Sequence, residues 1–216
     1  MEVSQLCKRV HEILEVLPSW KFPSNHLPKR GLYFFYEDGE IASHTGKPRI
    51  VRVGTHGPNR TLKRRLRDHY NGNREGSIFR KELGSALLKR SGASEDQIRE
   101  WRKKRKLSRS WHTFEKIERQ VSEILRLKFT FKALSVDTEE ERSHLEETII
   151  PTVAACSKCH PSNDWLGKFA WKETIISSGL WNDRFVHSPA RLTRQQLIRL
   201  EELVQKTKAG KCRKEA

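Results

Sequence analysis

Apolar residues recur at Val3, Leu6, Val10, Ile13, Leu14 and Leu17, a helical spacing that Pro18 ends, so residues 3–16 read as an amphipathic helix. After a Pro-containing loop the period changes. Residues 31–37 read as an aromatic strand, Glu37-Asp38-Gly39-Glu40 as its turn, and the β-branched RIVRVG at 49–54 as the return strand. On such a strand Tyr33 and Phe35 share one face and Phe34 and Tyr36 the other, one packed as core and one meeting a site. Residues 61–70 have helical composition and stop at Asn71-Gly72-Asn73, residue types that accept left-handed backbone. Residues 77–90 form the next helix, and Ser94 caps another across 95–106. A helix at 114–125 leads into KFTFKALSV, whose alternation marks a third strand. Thr138 and three following glutamates open a helix that runs towards Pro151. Residues 156–190 are loop-rich, 193–208 close the fold as a helix, and KAGKCRKEA reads as a frayed tail.

Composition sharpens this picture. The 216 residues are 35% hydrophobic and 32% charged, enough apolar material for a core in a polar chain. Lys and Arg number 43 against 27 acids, a formal charge of +16, which is the footprint of a polyanion binder and points to nucleic acid. The run 99–109 holds seven basic residues and Trp101; placed between the second and third strands, it reads as a phosphate-tracking arm carrying Arg102, Lys103, Lys104 and Arg105. No apolar run approaches the roughly 20 residues of a membrane span. Four scattered cysteines do not make a disulfide framework, so a soluble, cytoplasmic protein in a reducing compartment is expected. CSKCH at 156–160 has the form of a haem attachment site, but that requires export and no leader is evident, so haem is not expected. As half a zinc site it offers Cys156, Cys159 and His160 with no second pair at suitable spacing.

The order of hairpin, basic helix, further helices, third strand, acidic helix and asparagine loop resembles the GIY-YIG nuclease family. The residues carrying the likeness are Gly31-Leu32-Tyr33, Arg52-Val53-Gly54, Arg65 and His69 as R-x-x-x-H, LEETII at 145–150 and PSN at 161–163, within residues 30–166. The resemblance implies an α/β (α+β) fold, a small three-stranded antiparallel sheet flanked by helices. It would occupy residues 30–170 with a helical insertion at about 92–112, a helical extension at 1–29, and a C-terminal helical extension with a basic tail at 171–216. It also implies a DNA endonuclease using Mg²⁺ or Mn²⁺, acting as a restriction or defence enzyme; a non-catalytic DNA-binding module with the same fold is the alternative.

In-line cleavage of a phosphodiester needs an activated water, charge stabilisation on the phosphoryl oxygens and help for the leaving oxygen. Arg65 and His69, four apart, share a helix face and can reach one phosphate, the guanidinium bidentately. By family register Glu146 is the metal carboxylate, although a one-residue slip would select Glu147; one carboxylate plus waters suits Mg²⁺. The resemblance gives Tyr33 the role of general base or of relay to His69, and Asn163 that of orienting a group near the phosphate. Arg52, Arg64 and Arg67 are further candidate DNA contacts. One position departs from the pattern: Arg52 stands where the second half-motif begins with tyrosine. Arg52 then donates to the phosphate, or Tyr36 or His56 substitutes, or catalysis is impaired. The long separation of the half-motifs makes SHTGKP at 43–48 an insertion directed at a DNA groove.

Overall fold

The computed structural model describes residues 1–24, 26–104 and 114–212, with residues 211 and 212 described by backbone alone. Three strands, β1 (Gly31–Ala42), β2 (Lys47–Gly54) and β3 (Phe129–Ser135), form one antiparallel sheet in the order β2-β1-β3. Eight described helices flank it: α1 (Val3–Glu15), α2 (Leu62–Asn71), α3 (Ile78–Arg90), α4 (Glu95–Arg102), α5 (Glu115–Lys128), α6 (Glu139–Ala154), α7 (Glu173–Ser178) and α8 (Arg194–Cys212). The fold is the α/β arrangement expected from the sequence.

Both faces of β1 are buried, so the division into one core face and one site face does not hold. Leu32, Phe34 and Tyr36 pack with α1, α6 and α8, whereas Tyr33 and Phe35 pack with α2, α3, α5 and the tryptophans Trp165 and Trp181. Burying two faces explains a central strand with four consecutive aromatics. Local chemistry sets the helix starts. Thr61, Ser77, Ser94 and Thr138 each accept a backbone N–H from the first turn, and Ser94 completes a capping box with Gln97. Helix α6 continues through Pro151 to Ala154.

The hairpin turn is elsewhere than expected. Glu37-Asp38-Gly39-Glu40 lies inside β1, where the register shifts and Gly39 adopts φ 85°, a bulge that only glycine takes without strain. The strand continues because two of its acids, half-buried Glu37 and buried Glu40, are held by tertiary partners. Trp165 and Trp181 each donate an indole N–H to Glu37 Oε2 at 3.0 Å, and Arg49 Nε donates to Glu40 Oε2 at 2.6 Å. The chain turns at residues 43–46, closed by Thr45 and Gly46 amides on the Ala42 carbonyl. SHTG is therefore the hairpin turn, not a groove-seeking insertion, and Ser43 is tied through its amide and hydroxyl to the Lys158 carbonyl. Helix α2 does stop at Gly72, but in extended backbone at φ −83°, without the left-handed cap.

Candidate active site

Tyr33 lies at the start of β1, paired with Gly54 at the end of β2. A Cβ on Gly54 would stand 2.3 Å from the Tyr33 hydroxyl oxygen, so the glycine of the second half-motif is the space the phenol occupies. Gly31 is equally confined: a Cβ there would meet the Leu134 carbonyl oxygen at 1.9 Å. Across from the strand, α2 presents His69. Its Nε2 is 2.8 Å from Tyr33 Oη and its Nδ1 is 2.7 Å from Ser77 Oγ, the N-cap of α3. Tyr33 and His69 are fully buried. Burial, followed by the charges of Arg65, Arg52 and Arg80, holds the His69 pKa well below the usual imidazole value, so the ring is neutral. A neutral imidazole has one N–H and one lone pair, which lets the Tyr33–His69–Ser77 chain pass a proton in either direction.

Arg65, one turn before His69, is half-buried and donates Nη1 to the Gly76 carbonyl at 3.0 Å. Arg52 lies on the Tyr33 face of β2, its guanidinium 5.0 Å from the Phe79 ring centroid and its Nη1 donating to the Trp181 carbonyl. Of the two alternatives to Arg52, Tyr36 packs on the opposite face of the sheet. His56 is engaged at both ring nitrogens: it accepts the Gly31 amide at Nε2, 3.2 Å, and its Nδ1 contacts the Gly57 carbonyl at 3.0 Å. Neither is placed to substitute.

Helix α6 packs against β2 and brings Glu146 to that edge, half-buried, whereas Glu147 is exposed. Burial raises the Glu146 pKa, and Arg52, Arg65 and Arg184 oppose that shift. The charges of three arginines thus act on one carboxylate that forms no ion pair or hydrogen bond among the described residues. An unpaired hard oxygen donor on a helix edge fits a hydrated divalent cation that keeps most of its waters.

The structure does not bring every candidate here. Asn163 is exposed and accepts from Lys168 Nζ at 3.3 Å; its neighbour Ser162 is bound to Glu40. Glu40 is seven residues along β1 from Tyr33, about 20 Å at roughly 3.3 Å per residue. Arg64 and Arg67 are exposed on α2. Arg102 is not a free phosphate ligand: its fork grips buried Glu82 at 2.7 and 2.8 Å, and Nη1 also reaches Ser85 Oγ at 3.0 Å. Lys103 pairs with Glu100, Lys104 is exposed, and Arg105 lies outside the described residues. Trp101 is not presented to solvent either; it covers Gly84 and donates to the Lys81 carbonyl at 2.8 Å.

Sequence reasoning missed four residues around this site. Arg184 belongs to the Trp181-Asn182-Asp183-Arg184 segment, where Asn182 holds both the amide and the carbonyl of Val53, at 3.0 and 2.8 Å. Arg80 donates to the His69 carbonyl at 3.0 Å and to Glu118 at 2.8 Å, fixing the end of α2. Ser77 was legible only as the first residue of the helix expected at 77–90. Arg184 and Asn182 sit in a stretch with no periodicity to mark them.

Fold and site together define an α/β protein whose small antiparallel sheet carries a buried tyrosine–histidine pair beside clustered arginines and one carboxylate. The model of the GIY-YIG domain matches residues 5–210, and the chain belongs to that family, whose members are in general endonucleases. Neither the curated proteins nor the solved structures gave a match.

Proposed function

We propose that this protein is a DNA endonuclease that hydrolyses phosphodiester bonds with Mg²⁺ or Mn²⁺. The observation that carries the reading is the 2.8 Å contact between Tyr33 and neutral His69, with Arg52, Arg65, Arg184 and Glu146 grouped around it. Glu146 would hold the metal, which when bound supplies charge neutralisation at the phosphate. Tyr33 takes the proton of the attacking water as its own hydroxyl proton moves to His69 Nε2, and Ser77 keeps the imidazole oriented. Arg65 binds the phosphoryl oxygens. Arg52, with Nη1 on Trp181 and Nη2 lacking a protein acceptor among the described residues, supplies a second donor in place of the absent tyrosine. The same position motivates the competing reading, a DNA-binding module that has lost chemistry.

Plasmid incubated with Mg²⁺ or Mn²⁺ separates the two. Nicking by the wild type that disappears in Glu146→Ala and Arg65→Ala supports the nuclease. Nicking retained in both variants would remove this site, and binding without cleavage under either metal would establish the binding module. Cutting at one defined sequence would support the narrower restriction or defence role.

A further inference from the structure

On the sheet face opposite Tyr33, sulfur and imidazole groups from three segments converge. Cys7 comes from α1, His44 from the hairpin turn, and Cys156 and Cys159 from the loop after α6. Cys7 Sγ is 3.4 Å from Cys159 Sγ, and Cys159 Sγ is 3.6 Å from His44 Nε2. Cys156 lies in the same turn as Cys159, whose backbone amide donates to the Cys156 carbonyl at 3.1 Å. The ligand atoms of Cys7, His11, His44 and Cys159 all lie within 4.8 Å of one another. All three cysteines are buried and free. Thiolates held tetrahedrally at a Zn–S distance of about 2.3 Å are separated by about 3.8 Å, so the spacing is close to what one ion imposes.

Hydrogen bonding decides between the two histidines. Ile50 donates its amide to His11 Nε2 at 3.2 Å, and His11 Nδ1 is 2.9 Å from the Cys7 carbonyl. A carbonyl oxygen only accepts, so the His11 proton is on Nδ1 and the Nε2 lone pair is already engaged. His11 therefore has nothing to offer a metal. His44 does: its Nε2 faces Cys159, and its Nδ1 is buried without a partner among the described residues. Cys156 is the remaining buried free thiol of the loop after α6.

We propose that Cys7, Cys156, Cys159 and His44 form a structural zinc site of the Cys₃His type. Three soft thiolates and an imidazole select Zn²⁺ over hard cations such as Mg²⁺. Binding deprotonates the three thiols, releasing three protons, and leaves the ion with four protein ligands and no open position. Its role is to fasten. The site joins α1, the hairpin turn and the end of α6, the helix that carries Glu146. Ser43 already docks the turn on the Cys156–Cys159 loop through the Lys158 carbonyl. No spacing rule could have found it, since Cys7 and His44 are 152 and 115 residues from Cys159. The sequence instead offered adjacent His160, which is exposed and outside the cluster.

The test is the metal content of the full chain purified under reducing conditions. Native mass spectrometry is expected to show one zinc per chain, released by a mercurial thiol reagent. Cobalt added to the stripped protein should give a thiolate-to-cobalt charge-transfer band with tetrahedral d–d bands. Cys159→Ser and Cys7→Ser should lose the ion, while His160→Ala keeps it. The wild-type measurements stand even if a cysteine variant fails to fold. A reduced wild-type chain with no zinc and no cobalt band would overturn the proposal. Zinc retained by Cys159→Ser, or lost by His160→Ala, would overturn the ligand set.

Discussion

Tyr33 Oη and His69 Nε2 are 2.8 Å apart and buried, so a proton passed between them is shielded from bulk solvent. Burial next to three arginines keeps His69 uncharged. On unfolding it would regain an ordinary pKa of about 6.5 and bind a proton below it, so this residue makes stability fall as pH drops beneath about 6.5. Glu37 acts with the opposite sign at higher pH. Burial pushes its carboxyl up to about 7 from 4.5, against the two indole donors. The folded state then holds a proton that the unfolded state has released, and stability declines between pH 4.5 and 7. Glu37→Gln should abolish that decline and be more stable than wild type at pH 8 by about 2–3 kcal/mol, read from urea midpoints at pH 5 and pH 8. Equal wild-type and variant midpoints at both pH values would show that Glu37 is not strained by its burial.

At the scale of elements, the site is assembled by close approaches that tolerate no added atoms. Gly54→Ala would drive a methyl group into the Tyr33 ring, costing about 1–3 kcal/mol and displacing the hydroxyl from His69. Cleavage should fall as far as in Tyr33→Phe, while a thermal melt reports the modest destabilisation; a fully active Gly54→Ala would show that the contact does not matter. Seven of the eight described helices and the three strands were legible because their signals are local, namely period, capping residue and alternation, whereas the short α7 lay in a stretch read as loop. Tyr33, Arg65, His69 and Glu146 were legible as an ordered motif on those elements. EDGE was misread because its residues look like a turn, and what keeps β1 going is distant, namely Trp165, Trp181 and Arg49. Arg80, Asn182 and Arg184 were invisible for the same reason, since each is defined by a partner far away in sequence.

For the whole molecule, the formal charge of +16 suits a polyanion such as DNA, but not every cation is free to contribute to that attraction. Arg102 looked like part of a binding arm, yet it neutralises Glu82, which is almost fully buried. Arg102→Ala should destabilise the fold by about 3 kcal/mol in urea titrations, because a buried carboxylate loses its principal partner. It should leave the salt dependence of DNA binding unchanged, whereas removing exposed Arg64 and Arg67 together should flatten that dependence by about two units of log–log slope. A reduced slope in Arg102→Ala at unchanged stability would return the residue to the binding surface. No described helix is long and apolar enough to cross a membrane.

In the proposed mechanism a buried tyrosine–histidine pair performs the proton transfer of phosphodiester cleavage. Single-turnover cleavage by Tyr33→Phe, at protein concentrations that saturate the DNA, tests it directly. The substitution removes one oxygen atom and keeps the ring on Gly54. The rate should fall by about 10²–10⁴ with the DNA dissociation constant unchanged. A Tyr33→Phe variant that cleaves at the wild-type rate would exclude Tyr33 from the proton transfer.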